Sequence, residues 1–274
     1  MCDYGRLNFH YINSPERLQK PQIRERETLI DSNWKSALAK AGSELKKFVN
    51  GQVALVASAR MTNEELWLAK RLIMSLGTVD HDIVPRRGEA DKILLSADRN
   101  PNTLGAQLFG ITNENPGSKL PEIAERVRSG SIRAIVALGE DLAEIGLTAD
   151  DLKKLSLIVA TGILPNETTR HATVLLPGSA FAEKRGSMIN IKGRLQRLNR
   201  AIQPPGEARD DWEILRDLIQ QLTGSDSIYL IEDVFRQIAD ATPEMKGLSL
   251  SKIGDKGVSL AGEAEEATKA PASV

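Results

Sequence analysis

Short, largely apolar runs constrain this chain more than any other feature. Val53-Ala54-Leu55-Val56-Ala57 is continuous, Ile132 to Leu138, Leu157 to Thr161 and Ala172 to Leu176 are apolar apart from Arg133, Thr161 and Thr173, and Lys92 to Ser96 is a further candidate. A strand without alternation is one covered on both faces. Between the runs lie segments of helical spacing. Trp34, Leu38, Ala41, Leu45 and Phe48 recur on one face, and Gly51 is placed to stop that helix. Thr62 and Glu65 form a capping box, ahead of an apolar face of Leu66, Ala69, Leu72, Ile73 and Leu76 closed by Gly77. Pro121-Glu122 opens a short helix with Ile123 and Val127, ended by Gly130, and Thr148 with Asp151 caps another carrying Leu152 and Leu155. Strand and helix alternating at this spacing predict an α/β fold: a doubly wound, mostly parallel, Rossmann-like sheet with helices on both faces. Trp212, Leu215, Ile219 and Leu222, then Ile231, Val234, Phe235 and Ile238, predict a helical C-terminal extension.

Residues 7 to 31 have no sustained period and read as an extended N-terminal arm, with Pro15, Pro21 and the charged run Arg24 to Glu27. Such an arm has no core of its own and is ordered by lying on something else, which makes it a candidate partner contact. The domain boundaries expected are 1–31 for the arm, 32–225 for the α/β domain, 226–262 for a helical and irregular extension, and 263–274 for a disordered tail.

Composition narrows the function. A formal net charge of −1, with no long basic tract, gives a nucleic-acid role no electrostatic support. No apolar run approaches the ~20 residues of a transmembrane helix, and the first residues lack a signal peptide's apolar core; a cytosolic protein is expected. His10, His81 and His171 are the three histidines and show no metal-ligand grouping. There is no G-x-S-x-G elbow and no Walker A motif, and Ala57-Ser58-Ala59-Arg60 stands where a G-x-G-x-x-G would follow the first strand. Cys2 is the only cysteine, which excludes an intrachain disulfide and any iron–sulfur cluster held by this chain's thiolates alone.

The stretch His171 to Leu215 carries the strongest motif. A buried strand ends at Pro177-Gly178 and a Gly- and Lys/Arg-rich passage follows, from Glu183-Lys184-Arg185-Gly186 through Asn190 to Lys192-Gly193-Arg194. Pro204-Pro205-Gly206-Glu207 then turns into the helix of Trp212. Gly186 and Gly193 allow close backbone approach, and Lys184, Arg185, Lys192 and Arg194 suit anionic groups. A solvated basic loop is the alternative reading of the same residues. Asp98 and Asn100, after the run at 92–96, are placed either to face a ligand beyond a strand end or to make a local turn.

In order and spacing, Leu176-Pro177, Phe181-Ala182-Glu183-Lys184, Gly186, Asn190, Gly193-Arg194, Gln196, Pro205-Gly206-Glu207-Ala208 and Asp211-Trp212-Glu213-Ile214-Leu215 resemble the signature of the molybdopterin oxidoreductase superfamily. Lys192 departs from it, standing where the family usually has Glu. Ser58, Thr62-Asn63-Glu64-Glu65, Leu72 and Leu76-Gly77-Thr78 match a second family element. Asp98, Asn100-Pro101-Asn102, Gly105-Ala106 and Gly110-Ile111 resemble short forms belonging to the G-type subunit of bacterial NADH-quinone oxidoreductase, the respiratory complex I. Cys2-Asp3-Tyr4-Gly5-Arg6 is similar to the family segment that holds the last of four cluster-ligating cysteines, so Cys2 is an orphan iron–sulfur ligand by resemblance, or else a terminal thiol without a role. The chain would then begin where a cluster domain ends.

The resemblance implies one of two functions. The first is a non-catalytic structural and assembly subunit of this G type, in the peripheral arm of an NADH-quinone oxidoreductase, supporting electron transfer from NADH to quinone. It would bind no cofactor by itself, with 4Fe-4S clusters and FMN in flavin-, NADH- and cluster-bearing partner subunits, no molybdopterin, and a place on the cytoplasmic face of the inner membrane as part of the complex. Arg185, Lys192, Arg194 and Arg197 would then contact protein. The second is a fragment of a molybdopterin-dependent oxidoreductase such as formate dehydrogenase, binding pterin dinucleotide through Glu183, Gly186, Asn190, Gly193 and Arg194. A free-standing binding module is a third, weaker alternative.

Overall fold

The computed structural model describes residues 7–49, 51–91, 93–224 and 228–260; Cys2 and the tail expected at 263–274 lie outside them. In chain order, a 3-10 turn at His10–Asn13 precedes a hairpin of β1 (Gln22–Glu25) and β2 (Thr28–Asp31). Helix α1 (Trp34–Leu45) leads to β3 (Val53–Ala57), α2 (Asn63–Leu76) and β4 (His81–Ile83). Next come α3 (Thr103–Leu108), α4 (Leu120–Arg128), β5 (Ala134–Leu138), α5 (Ala149–Lys154) and β6 (Leu157–Gly162). Helix α6 (Glu167–His171), β7 (Val174–Pro177), β8 (Gly186–Ile189) and β9 (Arg194–Leu198) follow, then α7 (Asp211–Thr223), α8 (Ile231–Ala241) and β10 (Val258–Ser259).

The apolar runs become the centre of a sheet ordered β2-β1-β7-β6-β5-β3-β4. Strands β4, β3, β5, β6 and β7 are mutually parallel, and β1 joins β7 antiparallel. Because side chains alternate across a pleat, each central strand feeds two cores. Val53, Leu55, Val136, Val159 and Val174 face α1, α2, α7 and α8. Ala54, Val56, Ile135, Ile158 and Leu175 face α4 and α5. This is the mostly parallel sheet with helices on both faces that the alternation predicts. The parallel strands run 2-1-3-4-5 by chain order, the doubly wound arrangement whose connections diverge between β3 and β5.

Two expectations are corrected. Residues 93–96 form no strand: the Asp91 carboxylate accepts the amide hydrogens of Ile93, Leu94 and Leu95, closing a turn. Ile93 is 86% exposed and Leu94 62%, so apolar composition there brings no burial. The neighbouring sheet position belongs instead to β4, a three-residue strand whose Asp82 carboxylate takes Thr112 Oγ1–H and the amides of Gly117 and Lys119. The N-terminal arm is extended but lies on its own domain: β1 pairs with β7, Leu18 N–H donates to Ile163 O at 2.9 Å, and Gln19 O accepts from Glu207 N–H at 2.7 Å.

Candidate functional site

Beyond β7 the chain enters the signature stretch, and its polar groups turn inward. Glu183 accepts the Ala180 amide at 2.8 Å and both Nη groups of Arg17 at 2.8 and 2.6 Å, with both side chains buried. Arg17 Nη1 also donates to Ile12 O, which ties the N-terminal segment to this stretch. Lys184 Nζ lies 2.9 Å from Glu65 Oε1 and 3.0 Å from Asp211 Oδ2. Ser187 donates its amide and hydroxyl to Glu64 at 2.8 and 2.9 Å, and Asn63 Nδ2 donates to the same hydroxyl. The Ile189 amide donates to Asn102 Oδ1, whose amide group bonds Met61 O and Asn63 Oδ1. Arg200 and Ser179 both bond Asp210 at the start of α7.

The first turn of α2 explains why these partners converge. Thr62 and Glu65 make the capping box, as the spacing predicts, which aims Glu64 and Glu65 at the helix's positive end. A Cβ on Gly186 would lie 2.5 Å from Glu64 Oε2 and 2.9 Å from Thr62 Cβ, with φ at +150°, so only glycine lets β8 approach the cap this closely. Burial pushes the Glu64 carboxyl up to about 7, against the pull of the Ser187 hydrogen bonds. Burial likewise raises Glu65 to about 7, opposed by Lys184. For Lys184 burial favours the neutral amine, yet the carboxylates of Asp211 and Glu65 outweigh it and hold the ammonium above the ordinary lysine range. One cation between two buried carboxylates stays charged, while Glu64 carries no ion-pair partner among the described residues.

The second feature is the carboxyl edge of the sheet, where ligands of doubly wound proteins sit. At the divergence of β3 and β5, Arg60 Nη2 donates to Gly139 O at 2.7 Å, and its amide and Nε reach Ser58 Oγ. Arg86 grips the buried Glu140 carboxylate with two bonds of 2.8 and 2.6 Å. Tyr11 stands near Arg60, Arg17 and Lys184; burial raises its phenol, and those three cations partly offset the rise. Thr161 Oγ1, at the end of β6, is buried without a hydrogen-bond partner among the described residues. The edge therefore combines a half-exposed guanidinium, a phenol and an unpaired hydroxyl.

The structure places Gly186, Asn190, Gly193 and Arg194 in the β8–β9 hairpin and Glu183 in the 3-10 turn just before it, and gives them no shared open face. Glu183 and Gly186 are buried against Arg17 and α2. Asn190 Oδ1 accepts the amides of Lys192 and Arg194 and Gly193 takes a left-handed turn, so both build the β8–β9 bend. Arg194 Nη1 bonds Lys256 O, Arg185 pairs with Glu232, and Arg197 pairs with Asp255, all within the chain. Cys2 lies outside the described residues. Asp98 caps its own turn through the Asn100 amide, the local reading of that pair. Sequence reasoning gave no site role to Arg17, Asn102 or Tyr11; Arg17 meets Glu183 166 positions away and Asn102 meets Asn63 39 positions away. Among the described residues no group of three or more His, Cys, Asp and Glu is arranged to hold a metal ion.

Comparison with known proteins agrees with the signature. Residues 97–221 match the family model of molybdopterin oxidoreductase. The chain is 36% identical over 152 residues to NADPH-Fe(3+) oxidoreductase subunit alpha of Geobacter sulfurreducens, covering 51% of this chain and 18% of that protein. It is 31% identical over 153 residues to F420-dependent formate dehydrogenase subunit alpha of Methanocaldococcus jannaschii, covering 53% and 22%. With the assimilatory nitrate reductase catalytic subunit of Bacillus subtilis it shares 29% over 166 residues, 56% and 23%. The matched part is thus about a fifth of the length of these curated relatives. Over residues 97–221, somewhat less than half of its length, this chain is therefore similar to the molybdopterin oxidoreductase family.

Proposed function

We propose that this chain is an α/β domain of a molybdopterin-dependent oxidoreductase of the formate dehydrogenase kind, and that it serves there as a rigid scaffold. The observation that carries this reading is that about half of the chain aligns with the alpha or catalytic subunits of several such oxidoreductases. In this reading the domain holds the carboxyl edge of its sheet, with Arg60 and Tyr11, toward the rest of the protein. Of the five expected residues, Glu183, Asn190 and Arg194 carry polar side chains, and these do not fit as ligands to a pterin because the oxygens of Glu183 and Asn190 and the guanidinium of Arg194 already serve protein groups. No catalytic step is therefore routed through them.

That same engagement supports a second reading, the non-catalytic G-type scaffold of an NADH-quinone oxidoreductase, with clusters and flavin in partner subunits. One isolation separates the two. The protein containing this chain, purified from its native cells, is analysed for molybdenum, tungsten and pterin and assayed for formate- and nitrate-dependent dye reduction. Stoichiometric metal and pterin with either activity is the expected result. Metal-free protein that brings NADH-oxidising subunits with it would overturn the first reading in favour of the second.

A further inference from the structure

A cavity of about 260 Å³ lies where the β8–β9 hairpin meets α8 and the turn at 248–251. It adjoins the buried contacts of Lys184 and Ser187, since Arg185 and Gly186 between them line it, but it rests on no assumption about the parent enzyme. Its walls combine cationic and apolar groups with one carboxylate, Glu232, which is already paired with Arg185. Arg185, Arg197 and Arg236 bring guanidinium groups to it from three elements, while Phe235 and Leu250 give it an apolar floor. Ser249 and Ser251 line it as well, and their hydroxyls lie 3.0 Å apart, so one proton serves the pair and the other remains to be donated.

Each guanidinium has an acidic neighbour inside the chain: Glu232 at 2.7 Å from Arg185, Asp255 at 3.1 Å from Arg197, and Asp233 at 2.9 Å from Arg236. These pairs are solvent-facing, and the Asp255 side chain is 94% exposed, so each is readily exchanged for a better-placed acceptor. Arg197 differs from the other two. Its Nε–H is buried and meets no acceptor among the described residues, although the same guanidinium reaches Asp255 through Nη2. That donor is uncommitted but closed to solvent, so an anion in the cavity would meet the open Nη side of the guanidinium.

We propose that this cavity binds a small oxyanion-bearing molecule, a phosphate ester or a carboxylate, with its charged group on Arg197 and the rim arginines and its body against Phe235 and Leu250. A planar guanidinium matches either anion with two parallel hydrogen bonds. The volume admits a molecule of about ten non-hydrogen atoms, judged against the ~30 Å³ share of a water molecule.

The test titrates the full chain with inorganic phosphate and, separately, with succinate at fixed ionic strength, followed by calorimetry. The expected result is saturable one-to-one binding of at least one probe, with the preferred probe distinguishing a phosphate ligand from a carboxylate. Arg197→Gln weakens it about tenfold or more, and Arg185→Gln, an exposed position, weakens it about threefold. Arg133→Gln, which lies outside the cavity beside Phe48, leaves it within about twofold. Absence of saturable binding of either probe up to about 10 mM, or equal losses in the Arg133 and Arg197 variants, overturns the proposal.

Discussion

Glu64 carries a proton that its position decides. Its folded carboxyl titrates at about 7 where the ordinary value is 4.5, because burial outweighs the two Ser187 hydrogen bonds. The folded chain therefore keeps a proton that the unfolded chain has released between those values. Stability from this group is full below about pH 4.5 and is lost as the pH rises through 7, by roughly 3 kcal/mol. Glu64→Gln mimics the neutral acid. At pH 8 the variant is expected to be more stable than the parent by about that amount, while at pH 4.5 the two lie within about 1 kcal/mol in urea unfolding. A variant less stable than the parent at pH 8 would contradict this account of the site. Thr62 and Glu65 were legible in the sequence because a capping box is local. The state of Glu64 was not, since it is set by Ser187, 123 positions later.

The β8–β9 hairpin is the element on which the signature depends, and its two glycines do different work. Gly186 is pressed against the α2 cap, whereas Gly193 has nothing within 4 Å of its absent Cβ and only its φ of +71° to maintain. Gly186→Ala is expected to cost about 2 kcal/mol or more, because backbone or Glu64 must shift. Gly193→Ala should cost about 1 kcal/mol, the penalty of a left-handed residue alone. Denaturant midpoints at constant m-value read the difference, and equal losses would mean that β8 does not abut α2 so tightly. Hairpin formation itself was not legible: the glycines and cations there read equally as a solvated loop, and only the inward partners, Glu64, Asn102 and Asp211, settle their role. The run at 92–96 misled for the opposite reason. Its residues have strand composition, but Asp91 takes the amides of Ile93, Leu94 and Leu95 locally, and Ile93 and Leu94 stay exposed.

At the scale of the whole molecule, the layered sheet was legible because continuous apolar strands and capped amphipathic helices specify each other without reference to distant residues. What the sequence hid is how the layers are joined. Arg17 from the N-terminal segment, Glu64 and Glu65 from α2 and Asp211 from α7 all meet the signature stretch, so the hairpin belongs to the same cooperative unit as the central strands. Native-state hydrogen exchange of the full chain tests this directly. The amides of Ser187 and Ile189, bonded to Glu64 and Asn102, are predicted to exchange with the same free energy as those of Leu55 and Val136 in the central sheet, within about 1 kcal/mol. Exchange of the hairpin amides about a thousandfold faster than the sheet would show a loop that opens on its own, and would contradict the claim that the family signature is part of the domain's core.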